Sequence, residues 1–215
     1  MNPHLATPVS HHGVAVEDAA IVVLAVHGRG QSAQYMAAIA ERVGLDGVAW
    51  VLPNASDNTW YPEGFLRPRE ENQPRLGQAL EAVGSHFGEL SGGPTPVVLF
   101  GFSQGACLLS EYLLTEQPRC AGAILHTGGY LGPDKREWPD RGGALADLPV
   151  LMATAEKDEW VPLHRVEATA RAFAMVGARV ECDIYDDTEH HVNDNAVTRI
   201  RKFLRRRVSA CQASA

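Results

Sequence analysis

The stretch that decides the fold is Val97-Val98-Leu99-Phe100-Gly101-Phe102-Ser103-Gln104-Gly105-Ala106, a run of apolar β-formers that enters Gly-x-Ser-x-Gly. Good helix formers with apolar residues at helical spacing follow directly. This order predicts a nucleophile elbow, a sharp strand-to-helix turn that holds the Ser103 hydroxyl clear of a sheet. Ser103 should then have a strained backbone, and side chains at Gly101 and Gly105 would collide with neighbouring elements. The alternative is a plain β-turn-α connection, since Gly and Ser are common in ordinary turns.

Apolar strand patterns alternate with helical patterns on both sides of this stretch. Residues 20–26 form a continuous apolar β run, which is typical of a strand covered on both faces. Further strands are predicted at 48–52, 120–125, 149–154 and 179–185, and further helices at about 33–43, 74–87, 162–176 and 192–208. The alternation favours a single α/β domain, residues 1–215, with a mostly parallel central sheet and helices on both faces. Residues 1–18 are interpreted as an N-terminal extension or edge segment.

Length, composition and charge limit the classes of function. With 215 residues and 45% hydrophobic content, the chain can bury one sizeable core. The net charge of -7 and the lack of a basic, aromatic-interleaved face argue against a nucleic-acid partner. Four cysteines without CxxC spacing predict reduced thiols. No secretory signal or membrane-length apolar run is found, so we expect a cytoplasmic protein without a membrane span.

The candidate acid for a serine nucleophile follows the predicted strand at 149–154. In an open parallel sheet the loops beyond the carboxyl ends of the strands converge, and in folds with this elbow the acid and the histidine follow the serine along the chain. Glu156, Asp158 and Glu159 compete in this loop. Asp158 is favoured, because it lies between the strand end and the helix start at Pro162, where a short side chain can point across the top of the sheet.

The candidate base comes from the loop after Tyr185, which contains His190 and His191. Only one of the two can act as the base, and the residues alone leave the choice open. Adjacent histidines also suggest a metal, but consecutive side chains diverge and no third ligand stands at a motif spacing, so no metal is predicted. His27, at the end of the first apolar strand, is interpreted as a hydrogen-bonding residue that shapes the following loop.

The loop Gly28-Arg29-Gly30 suits one half of an oxyanion hole. The backbone N–H of Arg29 and that of Gln104, the residue after the nucleophile, are the predicted donors. The flanking glycines would let the Arg29 backbone approach a substrate closely. A phosphate-binding loop is the alternative, but no Gly-Lys-Ser/Thr follows.

Residues 54–73 form a long segment rich in turn formers, which we expect to cover the site. Its apolar residues Trp60, Tyr61, Phe65 and Leu66 are candidates for lining an acyl or leaving-group pocket. The alternative is that they only pack the segment onto the domain.

Four motifs together resemble the phospholipase/carboxylesterase family of α/β-hydrolases, which includes the acyl-protein thioesterases. They are His27-Gly28-Arg29-Gly30, Gly101-Phe102-Ser103-Gln104-Gly105, Asp158-Glu159-Trp160-Val161-Pro162 and His190-His191-Val192. The resemblance implies an α/β-hydrolase fold, catalytic Ser103, Asp158 and His190, and main-chain donors at Arg29 and Gln104. Glu189 stands where the family usually has a glycine.

The sequence as a whole is interpreted as a serine carboxylesterase that acts on a small-molecule ester without a cofactor. The charged residues Arg67, Arg69, Glu70 and Glu71 distinguish the covering segment from the lipid-accepting loop of the thioesterases, so a short acyl or aryl ester is expected. A thioesterase or lysophospholipase would use the same residues. A non-catalytic ligand-binding protein on the same fold is the alternative of another class. The sequence leaves a homodimer open, which an exposed apolar patch would support.

Overall fold

The computed structural model describes residues 1–139 and 141–212, which form seven β-strands and five α-helices. The strands are β1 (Val9–Gly13), β2 (Ile21–Val26), β3 (Val48–Pro53), β4 (Val97–Phe102), β5 (Gly122–His126), β6 (Pro149–Ala155) and β7 (Arg179–Tyr185). The helices are α1 (Ala33–Val43), α2 (Arg75–Ser91), α3 (Gln104–Glu116), α4 (Leu163–Met175) and α5 (Asp194–Gln212).

The strands form one sheet in the order β1-β3-β2-β4-β5-β6-β7. Strands β2 to β7 are parallel to one another, as the alternating pattern predicted. The apolar runs β2, β3, β4 and β5 are buried at every residue, because helices cover both faces of the sheet. The predicted fold class, a single α/β domain with a mostly parallel sheet, is confirmed.

The polar segment 1–18 contains an edge strand whose position the sequence pattern did not reveal. Strand β1 pairs antiparallel with β3, with Val9 opposite Pro53 and Gly13 opposite Ala49. Its residues are exposed or half-buried, so they carry no apolar run that would have predicted a strand. The same segment anchors itself elsewhere, since the Asn2 side chain donates a hydrogen bond of 2.7 Å to the carbonyl of Gln78 on α2.

Two hydrophobic layers sandwich the sheet. Helices α1 and α5 pack on one face, and helices α2, α3 and α4 pack on the other. Because the strands β2 to β7 run in one direction, the loops after β2, β4, β6 and β7 emerge at the same edge, where they hold His27, Ser103, Asp158 and His190.

Two further features bear on the expectations from composition. None of the helices in residues 1–139 and 141–212 combines the length and the apolar character needed to cross a membrane. Cys107, Cys120 and Cys182 are free thiols, and the side chain of Cys211 lies outside the described residues.

Candidate active site

Ser103 stands at the turn between β4 and α3 with a strained backbone, φ 53° and ψ -119°. Its N–H donates a hydrogen bond of 2.9 Å to the carbonyl of His126, at the end of the neighbouring strand. A Cβ on Gly105 would lie 2.1 Å from the carbonyl oxygen of Val26, and one on Gly101 would lie 2.6 Å from the Cα of Ala106. The turn is therefore as sharp as the sequence predicted, and only glycine fits on either side of the serine.

A continuous hydrogen-bonded chain joins Ser103 to His190 and Asp158. The distance between His190 Nε2 and Ser103 Oγ is 2.7 Å, and that between His190 Nδ1 and Asp158 Oδ2 is also 2.7 Å. With the proton on Nδ1, the imidazole donates to Asp158 and accepts from the serine hydroxyl. The structure thus brings together three residues that lie in different loops of the sequence.

Asp158 is held rigidly by its own loop. Its Oδ1 accepts hydrogen bonds from the N–H groups of Trp160, at 2.9 Å, and Val161, at 2.8 Å. Burial alone would raise the pKa of Asp158, but the hydrogen bonds from His190, Val161 and Trp160 outweigh it and hold that pKa below its usual value. The carboxylate therefore stays ionised, which is the state needed to orient the imidazole.

The two adjacent histidines point to different partners. His191 Nε2 lies 3.1 Å from Asp187 Oδ2, whereas His190 contacts Ser103. Asp187 also accepts a hydrogen bond from Asn193 at 3.1 Å, so His191 belongs to a separate polar cluster at the start of α5. Among the described residues, no group of three or more His, Cys, Asp or Glu side chains is placed to hold a metal ion.

The loop after β2 lies beside the serine. A Cβ on Gly28 would lie 3.0 Å from the Cβ of Ser103. His27 shapes this loop: its Nε2 accepts the N–H of Ala55 at 3.0 Å, so its Nδ1 donates to the carbonyl of Gly28 at 2.7 Å. Burial lowers the pKa of His27, which favours this neutral form.

Two N–H groups beside Ser103 fit the donors of an oxyanion hole. Gln104 is the first residue of α3, where backbone N–H groups have no partner within the helix. Within the described part of the chain, neither its N–H nor that of Arg29 donates to a protein acceptor. Both donors are therefore free for a substrate oxygen.

The side chains of these two residues have a further role that the sequence did not indicate. Gln104 Oε1 accepts the N–H of Trp60 at 2.9 Å, and its Nε2 donates to the carbonyl of Tyr61 at 2.8 Å. The Arg29 guanidinium donates to the carbonyls of Tyr61, at 3.0 Å, and Glu63, at 2.6 Å. The segment 54–73 is thus tied to the two residues whose N–H groups are the predicted oxyanion-hole donors.

A cavity of about 350 Å³ opens beside Ser103 and His190. Tyr61 and Phe65, two of the four aromatic or aliphatic residues proposed for the pocket, are part of its lining. The other two lie elsewhere. Trp60 is 1% exposed and its indole N–H donates to the carbonyl of His27 at 2.9 Å, while Leu66 lines a different cavity.

Two buried titratable groups close to the serine stay neutral. Burial raises the pKa of Cys107, which lines the cavity, to about 12. Burial, together with the charge of His190, lowers the pKa of His126 to about 3. At neutral pH the thiol is therefore protonated and the imidazole of His126 is uncharged.

Comparison with known proteins places this geometry in a family. The sequence profile of the family described as phospholipase/carboxylesterase matches residues 84–208, a stretch that includes Ser103, Asp158 and His190. The chain belongs to the phospholipase/carboxylesterase family. The resemblance, the fold class and the enzyme class predicted from the sequence, a serine hydrolase, are thereby confirmed at the level of the family.

Solved structures agree with this assignment. A phospholipase/carboxylesterase from Dyadobacter fermentans is 30% identical, covers 91% of this chain and 95% of its own, and superposes with a TM-score of 0.83. The fold is shared with esterase PE8, which is 21% identical and has a TM-score of 0.74; the match covers 93% of this chain and 97% of that one. It is also shared with acyl-protein thioesterase 2 from Zea mays, which is 14% identical and has a TM-score of 0.78; the match covers 94% of this chain and 99% of that one. No curated protein matches the sequence.

In this phospholipase/carboxylesterase-family protein, the sequence interpretation missed one wall of the cavity. Trp160 and Val161 line it from the loop after β6, which also holds Asp158. Trp160 is 67% exposed, which is unusual for so large an apolar side chain. The sequence did contain a signal for Trp160. It lies two residues after Asp158 in a loop of charged residues, where a tryptophan is not part of an apolar run that would bury it in the core.

Proposed function

We propose that this protein is a carboxylesterase that hydrolyses short-chain acyl or aryl esters through a Ser103-His190-Asp158 triad and an acyl-enzyme intermediate. The observation that carries the proposal is the pair of 2.7 Å hydrogen bonds that joins the three side chains in one relay. A strained serine at the end of a buried strand supports it, since such strain is found where a nucleophile is presented.

Each residue of the proposed triad has a chemical role. Ser103 Oγ attacks the ester carbonyl while His190 Nε2 takes its proton, and Asp158 stabilises the imidazolium that forms. The N–H groups of Arg29 and Gln104 bind the oxyanion of the tetrahedral intermediate. His190 then gives its proton to the leaving alcohol, and a water molecule activated by the same imidazole releases the acid and regenerates the serine.

The size and lining of the cavity support a small substrate. About 350 Å³ lies near the lower end of the range of small-molecule sites. Tyr61 and Phe65 on one side and Trp160 on the other supply apolar surface for an acyl chain or an aromatic ring. We propose that Trp160 contributes to substrate preference together with Tyr61 and Phe65, and that Trp60 and Leu66 do not.

The decisive experiment measures hydrolysis of p-nitrophenyl esters from acetyl to palmitoyl by the wild type and by Ser103→Ala, His190→Ala and His191→Ala. We expect Ser103→Ala and His190→Ala to lose activity by about 10⁴-fold or more, because either change removes the chemical step. His191→Ala is the matched control, since His191 pairs with Asp187 instead of the serine, and it should retain most of the activity.

The chain-length profile tests the substrate class. The best rates should fall on short acyl groups, and a matched series of thioesters separates an esterase from a thioesterase. An active Ser103→Ala protein, or a His191→Ala protein as inactive as His190→Ala, would contradict the proposed triad. A wild type inert on every ester would contradict the esterase proposal and favour a binding role.

A further inference from the structure

A second cavity, larger than the one beside Ser103, lies on the outer side of helix α4. Its volume is about 570 Å³. One wall is helix α4, and the other is the segment 130–136 together with Leu66 of the covering segment. The two cavities share the covering segment as a boundary, because Phe65 lines the first and Leu66 lines the second.

The sequence of α4 explains why the cavity is open. Ala168, Arg171, Ala172 and Met175 recur at the spacing that places side chains on one face of a helix. The two alanines leave room that larger residues would fill. Met175 is 77% exposed at the end of this face, and it leaves an apolar surface without a packing partner.

Positive charge dominates the lining. Lys135, Arg136, Arg165 and Arg171 are lining residues, and no acidic side chain is among them. Glu111, which is fully buried behind the cavity, lies 2.8 Å from Arg136 but also 3.1 Å from Arg69, so one carboxylate faces two cations. The contact of Arg171 with Glu167 is long, 4.0 Å, and lies between two solvated side chains of the same helix.

Arg165 is the most informative of these cations, because it is buried without a counter-ion. It is 5% exposed, and its guanidinium donates to the carbonyls of Tyr130, at 3.0 Å, and Gly132, at 2.8 Å. Among the described residues it forms no ion pair with a carboxylate, and its Nε has no hydrogen-bond partner. The face of the Tyr130 ring, 4.6 Å from the guanidinium carbon, and a third carbonyl, that of Pro133 at 3.3 Å, complete its surroundings. Carbonyl dipoles and a ring face carry no full negative charge, so Arg165 leaves a positive potential at the cavity wall.

We propose that this second cavity binds an amphipathic carboxylate, an organic anion that carries an apolar chain or ring. The acid group would meet Lys135 and Arg171 at the rim, in the positive potential of Arg165. The apolar part would lie over Leu66, Ala168 and Met175. The cavity volume falls within the usual range for small-molecule sites. The proposal concerns binding and does not depend on the chemistry at Ser103.

The test is a calorimetric titration of the full-length protein with octanoate, compared with octylamine as a probe of the same apolar length and opposite charge. The variant Lys135→Glu/Arg171→Glu reverses two exposed charges at the rim and leaves buried Arg165 in place. The matched control, Lys202→Glu/Arg205→Glu, makes the same charge change at two exposed positions of α5 on the other face of the sheet.

We expect octanoate to bind the wild type and the α5 control equally, and octylamine not to bind. The rim variant should bind octanoate about tenfold more weakly or worse, because two attractive charges become repulsive. Equal octanoate binding by the rim variant would overturn the proposal, because the anion would then occupy another site. The proposal also fails if octylamine binds as well as octanoate, if both double variants weaken binding equally, or if the wild type binds no octanoate.

Discussion

At the scale of single residues, Ser103 shows how the fold maintains an unfavourable conformation. A non-glycine residue with φ 53° and ψ -119° costs on the order of 1–3 kcal/mol. The surroundings enforce it: the N–H of Ser103 is bonded to His126, its carbonyl accepts the N–H of Cys107 at 3.0 Å, and Gly105 fits against β2. The hydroxyl is thereby presented to His190 without any rearrangement.

Two tryptophans near the site make a matched pair for mutation. Trp60 is buried between His4 and His27, with ring centroids 5.3 Å and 5.1 Å away, whereas Trp160 is 67% exposed and lines the cavity. We expect Trp60→Ala to lower the free energy of unfolding by about 3–5 kcal/mol, as for other buried aromatic truncations. Trp160→Ala should change it by no more than about 0.5 kcal/mol.

The effects of the two variants on substrate preference should be the reverse of their effects on stability. Trp160→Ala should alter the ratio of kcat/KM between aryl and alkyl esters, and Trp60→Ala, at a temperature where it is folded, should leave that ratio close to the wild-type value. Thermal denaturation and ester kinetics on both proteins check this. A stable Trp60→Ala protein with altered specificity would mean that Trp60 contacts the substrate.

At the scale of elements, the covering segment 54–73 is held by buried apolar side chains and by polar contacts to its backbone. Arg29 and Gln104 bind its carbonyl and N–H groups, and buried Asn72 accepts the N–H of Glu63 at 2.8 Å. Arg69 reaches the buried carboxylate of Glu111 on α3. The charged residues of this segment therefore have two roles. Arg69 points inward and fixes the position of the segment, whereas others, such as Arg67 and its partner Glu71, face solvent.

Removing the Arg29 side chain tests whether this attachment matters for catalysis. Arg29→Ala keeps the backbone N–H proposed for the oxyanion hole and loses the hydrogen bonds to the carbonyls of Tyr61, Pro62 and Glu63. We expect kcat/KM for esters to fall by about three- to tenfold, since charged hydrogen bonds at partly exposed sites contribute modestly. Limited proteolysis within 61–72 should also become faster.

Arg67→Ala is the control, because Arg67 is an exposed arginine of the same segment whose side chain pairs with Glu71 in the neighbouring turn. Its kinetics and proteolysis should match those of the wild type. If Arg29→Ala behaves like Arg67→Ala in both measurements, the hydrogen bonds of the Arg29 side chain do not hold the segment in place.

At the scale of the whole molecule, several histidines are buried in the neutral form. His126 is 2% exposed, and burial lowers the pKa of His126 to about 3. The unfolded chain takes up this proton near pH 6.5, but the folded protein does so only near pH 3. Between these pH values the unfolded state binds more protons than the folded state. The contribution of neutral His126 to the free energy of unfolding is therefore fully present above pH 6.5 and is lost as the pH falls towards 3.

The contribution of His126 can be measured from chemical denaturation at several pH values. Because of His126, we expect the free energy of unfolding of the wild type to be roughly 2 kcal/mol smaller at pH 5 than at pH 7. His126→Asn can keep the hydrogen bond to Thr127 and removes the titration, so its stability should depend less steeply on pH. His11→Asn, at an exposed position of β1, should follow the wild-type slope. Parallel profiles for the wild type and His126→Asn would show that His126 is not kept neutral by the fold.

The sequence by itself determined the features that rest on local patterns. The apolar runs of β2 to β5, the glycines around Ser103 and the order serine, acid, histidine all follow from residue type and spacing, because a parallel sheet brings its strand ends to one edge wherever the strands lie in the sequence. The α/β architecture and the residues that meet at its edge could therefore be predicted without coordinates.

The tertiary structure alone decided which of several similar side chains faces which neighbour. It buried Trp60, exposed Trp160 and paired the polar strand β1 with β3. It also set His190 against Ser103, which the family resemblance implied and the residue types alone left open. It also gathered Lys135, Arg165 and Arg171 around one cavity. Loops and edge strands have no periodicity that fixes the direction of a side chain, so these directions depend on contacts between residues far apart in the chain, which appear only when the chain has folded.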